Sequence, residues 1–112
     1  MQFREPPRIG PAVVQYERAG VWIVVAHGAY DPHSIAPMQD ALETAAKKHP
    51  RVVVDVAGLE FADSSFLNLL LRTHRATSLC LVSPAPQLRR VLEITGADEV
   101  LEIRATVEDA VT

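Results

Sequence analysis

Six consecutive apolar residues, Val21-Trp22-Ile23-Val24-Val25-Ala26, leave no room for the inside–outside alternation of a half-exposed strand. Their β-branched side chains favour extended backbone, so the run reads as a strand covered on both faces. A second run of this kind, Val52-Val53-Val54-Asp55-Val56, lies further on. Between them Ile35, Met38, Leu42 and Ala45 recur at helical spacing. Ser34 is placed to cap that helix, Pro37 is tolerated in its first turn, and Pro50 marks its end. Two covered strands joined through a helix imply a parallel pair with a crossover.

The rest of the chain extends this unit. Val13 to Glu17 is a further β-rich run, and Arg18-Ala19-Gly20 forms a short turn into Val21, which predicts an N-terminal hairpin. Gly28 to Ser34 reads as a loop, as does Ala57 to Ala62. Asp63-Ser64-Ser65 then opens the most apolar helix, with Phe66, Leu67, Leu69, Leu70 and Leu71. Leu79 to Ser83 is a strand, Pro86 to Gly96 a helix, Val100 to Ile103 a last short strand. Thr106-Val107-Glu108-Asp109 has the form of a capping box before a final turn or two. The predicted order is β-β-α-β-α-β-α-β-α: an α/β fold whose mostly parallel sheet carries an N-terminal hairpin and packed helices.

Length and composition bound the answer. At 112 residues and 48% hydrophobic, the chain suits one compact domain over residues 12–112. Residues 1–11, with Pro6, Pro7 and Pro11, read as an irregular N-terminal arm without a signal peptide's apolar stretch. A net charge of −3 and only two lysines, Lys47 and Lys48, disfavour nucleic acid and anionic membrane as partners. Cys80 lies in an apolar run and reads as a small buried hydrophobe. A cytoplasmic protein is expected.

Catalytic chemistry finds no footing. Ser64 lacks a Gly-x-Ser-x-Gly setting, and no phosphate-binding glycine motif is present. His27, His33, His49 and His74 are scattered without metal-ligand spacing, so neither a metal nor another cofactor is expected. Arg72 and Arg75 lie three apart on one helix, a solvated face or a contact for an acidic partner. At the head of that helix, Asp63 or Ser64 would serve as an ordinary N-cap.

The order of three features reaches further. Asp55 follows the Val52–Val54 run, Phe61-Ala62-Asp63-Ser64-Ser65 opens the helix, and Gly28-Ala29-Tyr30-Asp31 follows the preceding strand. This arrangement resembles the STAS domain, and within it the bacterial anti-sigma factor antagonists. The stretches Ser34-Ile35-Ala36-Pro37 and Leu88 to Gly96 followed by Val100 to Ile103 are similar to that family too. The resemblance spans roughly Val13 to Val111.

The resemblance implies a partner-switching module, not an enzyme. It would bind an anti-sigma factor of the serine kinase type, so releasing a sigma factor, and a phosphatase would reset it. Phosphorylation is expected on Ser64, with Ser65 the alternative. Asp31, Asp63, Ser64, Ser65 and Phe66 are expected at the partner-binding surface. The other binding role on the same fold is an unphosphorylated scaffold or accessory subunit of a stress-sensing or transport assembly. The chain would act as a monomer or weak homodimer. Two departures stand out: Phe66 occupies a position usually held by glycine, and the Gly28–Asp31 loop is one residue longer before Pro37. Phe66 is either an exposed anchor or core.

Overall fold

The computed structural model describes residues 13–111; the arm expected over residues 1–11 lies outside them. The elements are β1 (Val13–Arg18), β2 (Val21–Tyr30), α1 (Ala36–Lys48), β3 (Arg51–Ala62), α2 (Ser64–Ala76), β4 (Ser78–Val82), α3 (Pro86–Thr95), β5 (Glu102–Arg104) and α4 (Val107–Val111), with a 3₁₀ turn at Ala97–Glu99. This is the predicted order. One five-stranded sheet runs β1-β2-β3-β4-β5, with β1 antiparallel to β2 and every other pair parallel.

The unpatterned apolar runs are explained by cover on both faces. Val24, Val52, Val54, Leu79 and Leu81 enter the larger core beneath α1, α2 and α3. Their neighbours Ile23, Val53, Cys80 and Val82 point the other way, into a smaller cluster closed by Val107, Ala110 and Val111 of α4. Burial pushes the Cys80 thiol up to about 11, so it behaves as a hydrophobe.

A side-chain network fastens α4 to the sheet edge. The Arg51 guanidinium pairs in fork fashion with Glu102 (3.0 and 3.2 Å) and donates from Nη2 to the Ala110 carbonyl at 3.0 Å. Arg104 adds a 2.8 Å contact to the same carboxylate. The two guanidinium groups, Arg51 first, hold the Glu102 carboxyl down at about 2.

Several boundaries differ from expectation, each for a physical reason. Gly28-Ala29-Tyr30 is not loop but the end of β2, and Ala57 to Ala62 is the end of β3. Their glycines serve bulges instead of turns. The β2–β3 register slips between Val25 and His27 and again between Gly28 and Ala29. Gly28 takes φ +86°. A Cβ on Gly58 would stand 2.8 Å from the His27 ring, so a side chain there would force that exposed ring to move. Ser34 does not cap α1: Ile35 holds the cap position without a side-chain bond, and the Ser34 hydroxyl is engaged elsewhere. The last strand begins at Glu102, because Ala97–Val100 turns after Gly96, whose φ of +79° ends α3 as expected.

Because β4 pairs with β3 only as far as Asp55, the bulged ends of β2 and β3 continue beyond it as a two-stranded ribbon. That ribbon positions the candidate site.

Candidate functional site

Tyr30 pairs with Ala62 at the carboxyl ends of two parallel strands. The residues that follow, Asp31 on one strand and Asp63-Ser64 on the other, therefore emerge side by side. Neighbouring strands stand about 4.8 Å apart. Crevices beyond the carboxyl ends of parallel strands are the usual ligand position in open α/β sheets.

Each aspartate folds its own loop. Asp31 Oδ1 accepts from the backbone N–H groups of His33 (2.8 Å) and Ser34 (2.9 Å), while Ser34 Oγ accepts from Asp31 N–H at 3.0 Å. This closed turn leads from the end of β2 into α1. The Ser34 and His33 N–H groups hold the Asp31 carboxyl below the usual carboxylate range, although it is exposed. A negative charge is thus fixed at the rim.

Asp63 is the N-cap of α2. With extended backbone (φ −103°, ψ −166°), its Oδ1 accepts from Ser65 N–H at 2.8 Å. Its carbonyl takes the Phe66 N–H at 3.1 Å. Of the two candidate caps, then, Asp63 holds the helix and Ser64 does not. Ser64 is the first helical residue, exposed, and its hydroxyl is bonded to nothing among the described residues. Ser65 is half-buried, facing the groove between α1 and α2 with Pro32 across from it.

Phe66 settles on the inward alternative. Its side chain is 1% exposed and stacks on the buried Tyr30 ring, centroids 5.3 Å apart and planes 16° from parallel. The Tyr30 hydroxyl in turn accepts from His27 N–H at 3.3 Å. Phe66 is therefore no surface anchor for a partner. An aromatic at this place turns into the core because the helix's first turn lies over the buried end of β2. Asp31, Asp63, Ser64 and Ser65 are brought together; Phe66 supports them from beneath.

One feature of the neighbourhood was not legible from motifs. A cleft of about 210 Å³ lies between Leu59, Glu60 and Ala62 of β3 and Gln87, Leu88 and Val91 of α3. Val91 and Ile94 of α3 are exposed beside it, Ile94 by 72%. Leu88, Val91 and Leu92 share one side of α3 by their spacing, yet only Leu92 of this helix is fully buried.

Among the described residues no cluster of acidic, His or Cys side chains is placed to hold a metal ion, and no helix is long and apolar enough to cross a membrane.

The comparisons with known proteins agree with this fold. A family model described as "Mlab, STAS domain" matches residues 14–103. The chain is similar to an anti-sigma factor antagonist from Mycobacterium paratuberculosis, at 27% identity and TM-score 0.79, covering 90% of this chain and 91% of that one. An anti-sigma factor antagonist (STAS) domain protein from Planctomyces limnophilus aligns at 22% identity and TM-score 0.76, over 88% and 94%. The unphosphorylated form of the anti-sigma factor antagonist SpoIIAA aligns at 22% and 0.75, over 89% and 93%. No curated protein matches at a significant level.

Proposed function

The chain belongs to the STAS domain family, and on that premise we propose that it is an anti-sigma factor antagonist switched by phosphorylation of Ser64. The unmodified domain binds an anti-sigma factor serine kinase through the rim formed by Asp31, Asp63, Ser64 and Ser65, and a sigma factor is released. The kinase phosphorylates Ser64 and the complex separates; a phosphatase restores the binding form. No cofactor of its own and no catalytic residue enter this reading, and the cytoplasm is its compartment.

The observation that supports it is the division of labour at the head of α2. Asp63 makes the capping bond, so the Ser64 hydroxyl is exposed and free of structural duty among the described residues. A phosphate there meets the positive end of the helix dipole, so the helix keeps its fold. It adds about −1.5 to −2 charges to a surface a partner must cover, next to two carboxylates. The switch thus acts through interface charge and bulk, without refolding.

The test is the intact mass of the protein isolated from its own cells in growth and under stress, with peptide-level mapping. One phosphate on Ser64 that varies with condition supports the switch. Phosphate on Ser65 alone moves the site by one residue and abandons Ser64. A Ser64→Asp variant that loses α2 by NMR refutes the no-refolding mechanism.

The aromatic at position 66, where the family's switch pattern carries glycine, favours a second reading: a scaffold or accessory subunit that is never phosphorylated. A protein unmodified in every condition selects it.

A further inference from the structure

The stripe Ser65, Asn68, Arg72, Arg75 on α2 recurs every three or four residues, so it lies along one side of the helix. The stripe Gln39, Glu43, Lys47 on α1, continued by its cap residue Ile35, does the same. Between them lie two neighbouring stretches of open groove, both lined by Arg72. The open stretch beside Ser65 and Pro32 spans about 580 Å³, and the one ending at Lys47 and Ala76 about 440 Å³. Leu42 and Leu69 form its floor near the far end, and the small side chains of Ala46 and Ala76 keep its walls low.

The charge of this groove opposes that of the chain. The whole sequence carries −3. Along the groove, however, Arg72, Arg75 and Lys47 face a single carboxylate, Glu43, whose Oε2 already accepts from Gln39 Nε2 at 3.1 Å. None of the three cations forms an ion pair among the described residues. Arg72 and Arg75 are exposed, with guanidinium groups free to turn inward.

We infer that the α1–α2 groove is a docking site for an acidic amphipathic helix of a partner protein. Charge complementarity selects the sign of the occupant, and the apolar floor requires a helix with one apolar stripe. Each groove wall is a helix of 13 residues, about 20 Å long, which matches three to four turns of a bound helix. The groove offers no strand edge, so an extended segment would leave its backbone groups unpaired. This contact starts at Ser65 on the edge of the Ser64 rim, runs away from it along the two helices, and needs no phosphate. It extends the partner-binding surface from the rim along α1 and α2.

The test uses the full chain and a blocked 14-residue helical peptide with leucine at every third or fourth position and glutamate on both flanks. A peptide with every glutamate replaced by lysine is the control. We expect saturable binding by backbone-amide NMR, with shifts centred on Gln39, Ala46, Arg72 and Arg75. Affinity should fall as salt rises. The double variant Arg72→Glu/Arg75→Glu should weaken binding at least tenfold, while Arg89→Glu/Arg90→Glu on α3, with the same charge change, should alter it less than twofold. If the reversal variant fails to fold by circular dichroism, Arg72→Gln/Arg75→Gln replaces it, with at least threefold weakening expected. Equal binding of the lysine peptide, equal loss in the α3 variant, shifts centred on α3, or no saturation overturns the proposal. So does binding of phosphatidylglycerol vesicles through the same arginines without peptide binding, which assigns the groove to a lipid surface. Ser64 stays unmodified throughout, so failure here leaves the switch reading intact.

Discussion

The rings of Tyr30 and Phe66 lie 5.3 Å apart and nearly parallel, joining the last residue of β2 to the first turn of α2. Both are buried, and between them they fix the loops that carry Asp31 and Ser64. The residue that departs from the family's switch pattern is therefore the underside of the proposed switch, not part of its surface.

Phe66→Ala is expected to cost about 3–5 kcal/mol, the range for emptying a buried aromatic site. Urea unfolding of the variant against the parent chain measures it. Phe66→Leu, which keeps most of the volume, should cost markedly less. Equal and negligible losses would mean that the stack does not hold the loops.

At the head of α2, Asp63→Ala should destabilise by about 1 kcal/mol through loss of the cap to Ser65 N–H. Ser64→Ala should stay within about 0.5 kcal/mol, as for an exposed residue without a partner. Thermal melts of the two variants side by side decide this. A larger loss for Ser64→Ala would return that serine to a capping role.

Glu102 gives stability a dependence on acid. Its carboxyl is held at about 2 by Arg51 and Arg104, below its ordinary value of 4.5. A depressed folded value means the contribution is complete above about pH 4.5 and disappears as pH falls through about 2. Glu102→Gln is expected to cost about 1.5–3 kcal/mol at pH 7, the range for hydrogen bonds to charged groups. The gap between variant and parent should narrow below pH 4. A gap independent of pH would show that the carboxylate's charge is irrelevant.

The β1–β2 turn carries a removable strain. Ala19 has φ +53° and Gly20 φ +79°, the two positive values of a type I′ hairpin. Asparagine accepts the left-handed region more readily than alanine, so Ala19→Asn should stabilise by about 0.5–1 kcal/mol. The melting temperature should rise; a fall would show that the turn differs from this geometry.

Much of this was legible in the sequence, for identifiable reasons. The runs Val21–Ala26 and Val52–Val56 and the helical spacings yielded the element order, because covered parallel strands tolerate few polar residues. Asp63 before Ser64 marked the head of α2. What escaped was the length of the ribbon, since Gly28 and Gly58 carry the same local signal in a bulge as in a turn. The direction of Phe66 and the paired stripes along α1 and α2 depend on which elements become neighbours, and no local pattern encodes that. Ser34 misled for a similar reason: its hydroxyl found Asp31 N–H before it could serve α1.

The two slips of register in the β2–β3 ribbon have a consequence of parity. Val24 pairs with Val54 and both face the larger core; at the tip Tyr30 pairs with Ala62 and both face it again. Each slip adds one residue to β3, so one alone would exchange its inner and outer sides, and two restore them. Between the slips Leu59, at an odd position, faces the core where Val52, Val54 and Val56 do so at even ones. Insertions and deletions between Ala57 and Phe61 are thus not equivalent. A change of one residue would turn the serine-bearing end of the strand over, whereas a change of two would shorten or lengthen the ribbon and leave Ser64 facing as it does now.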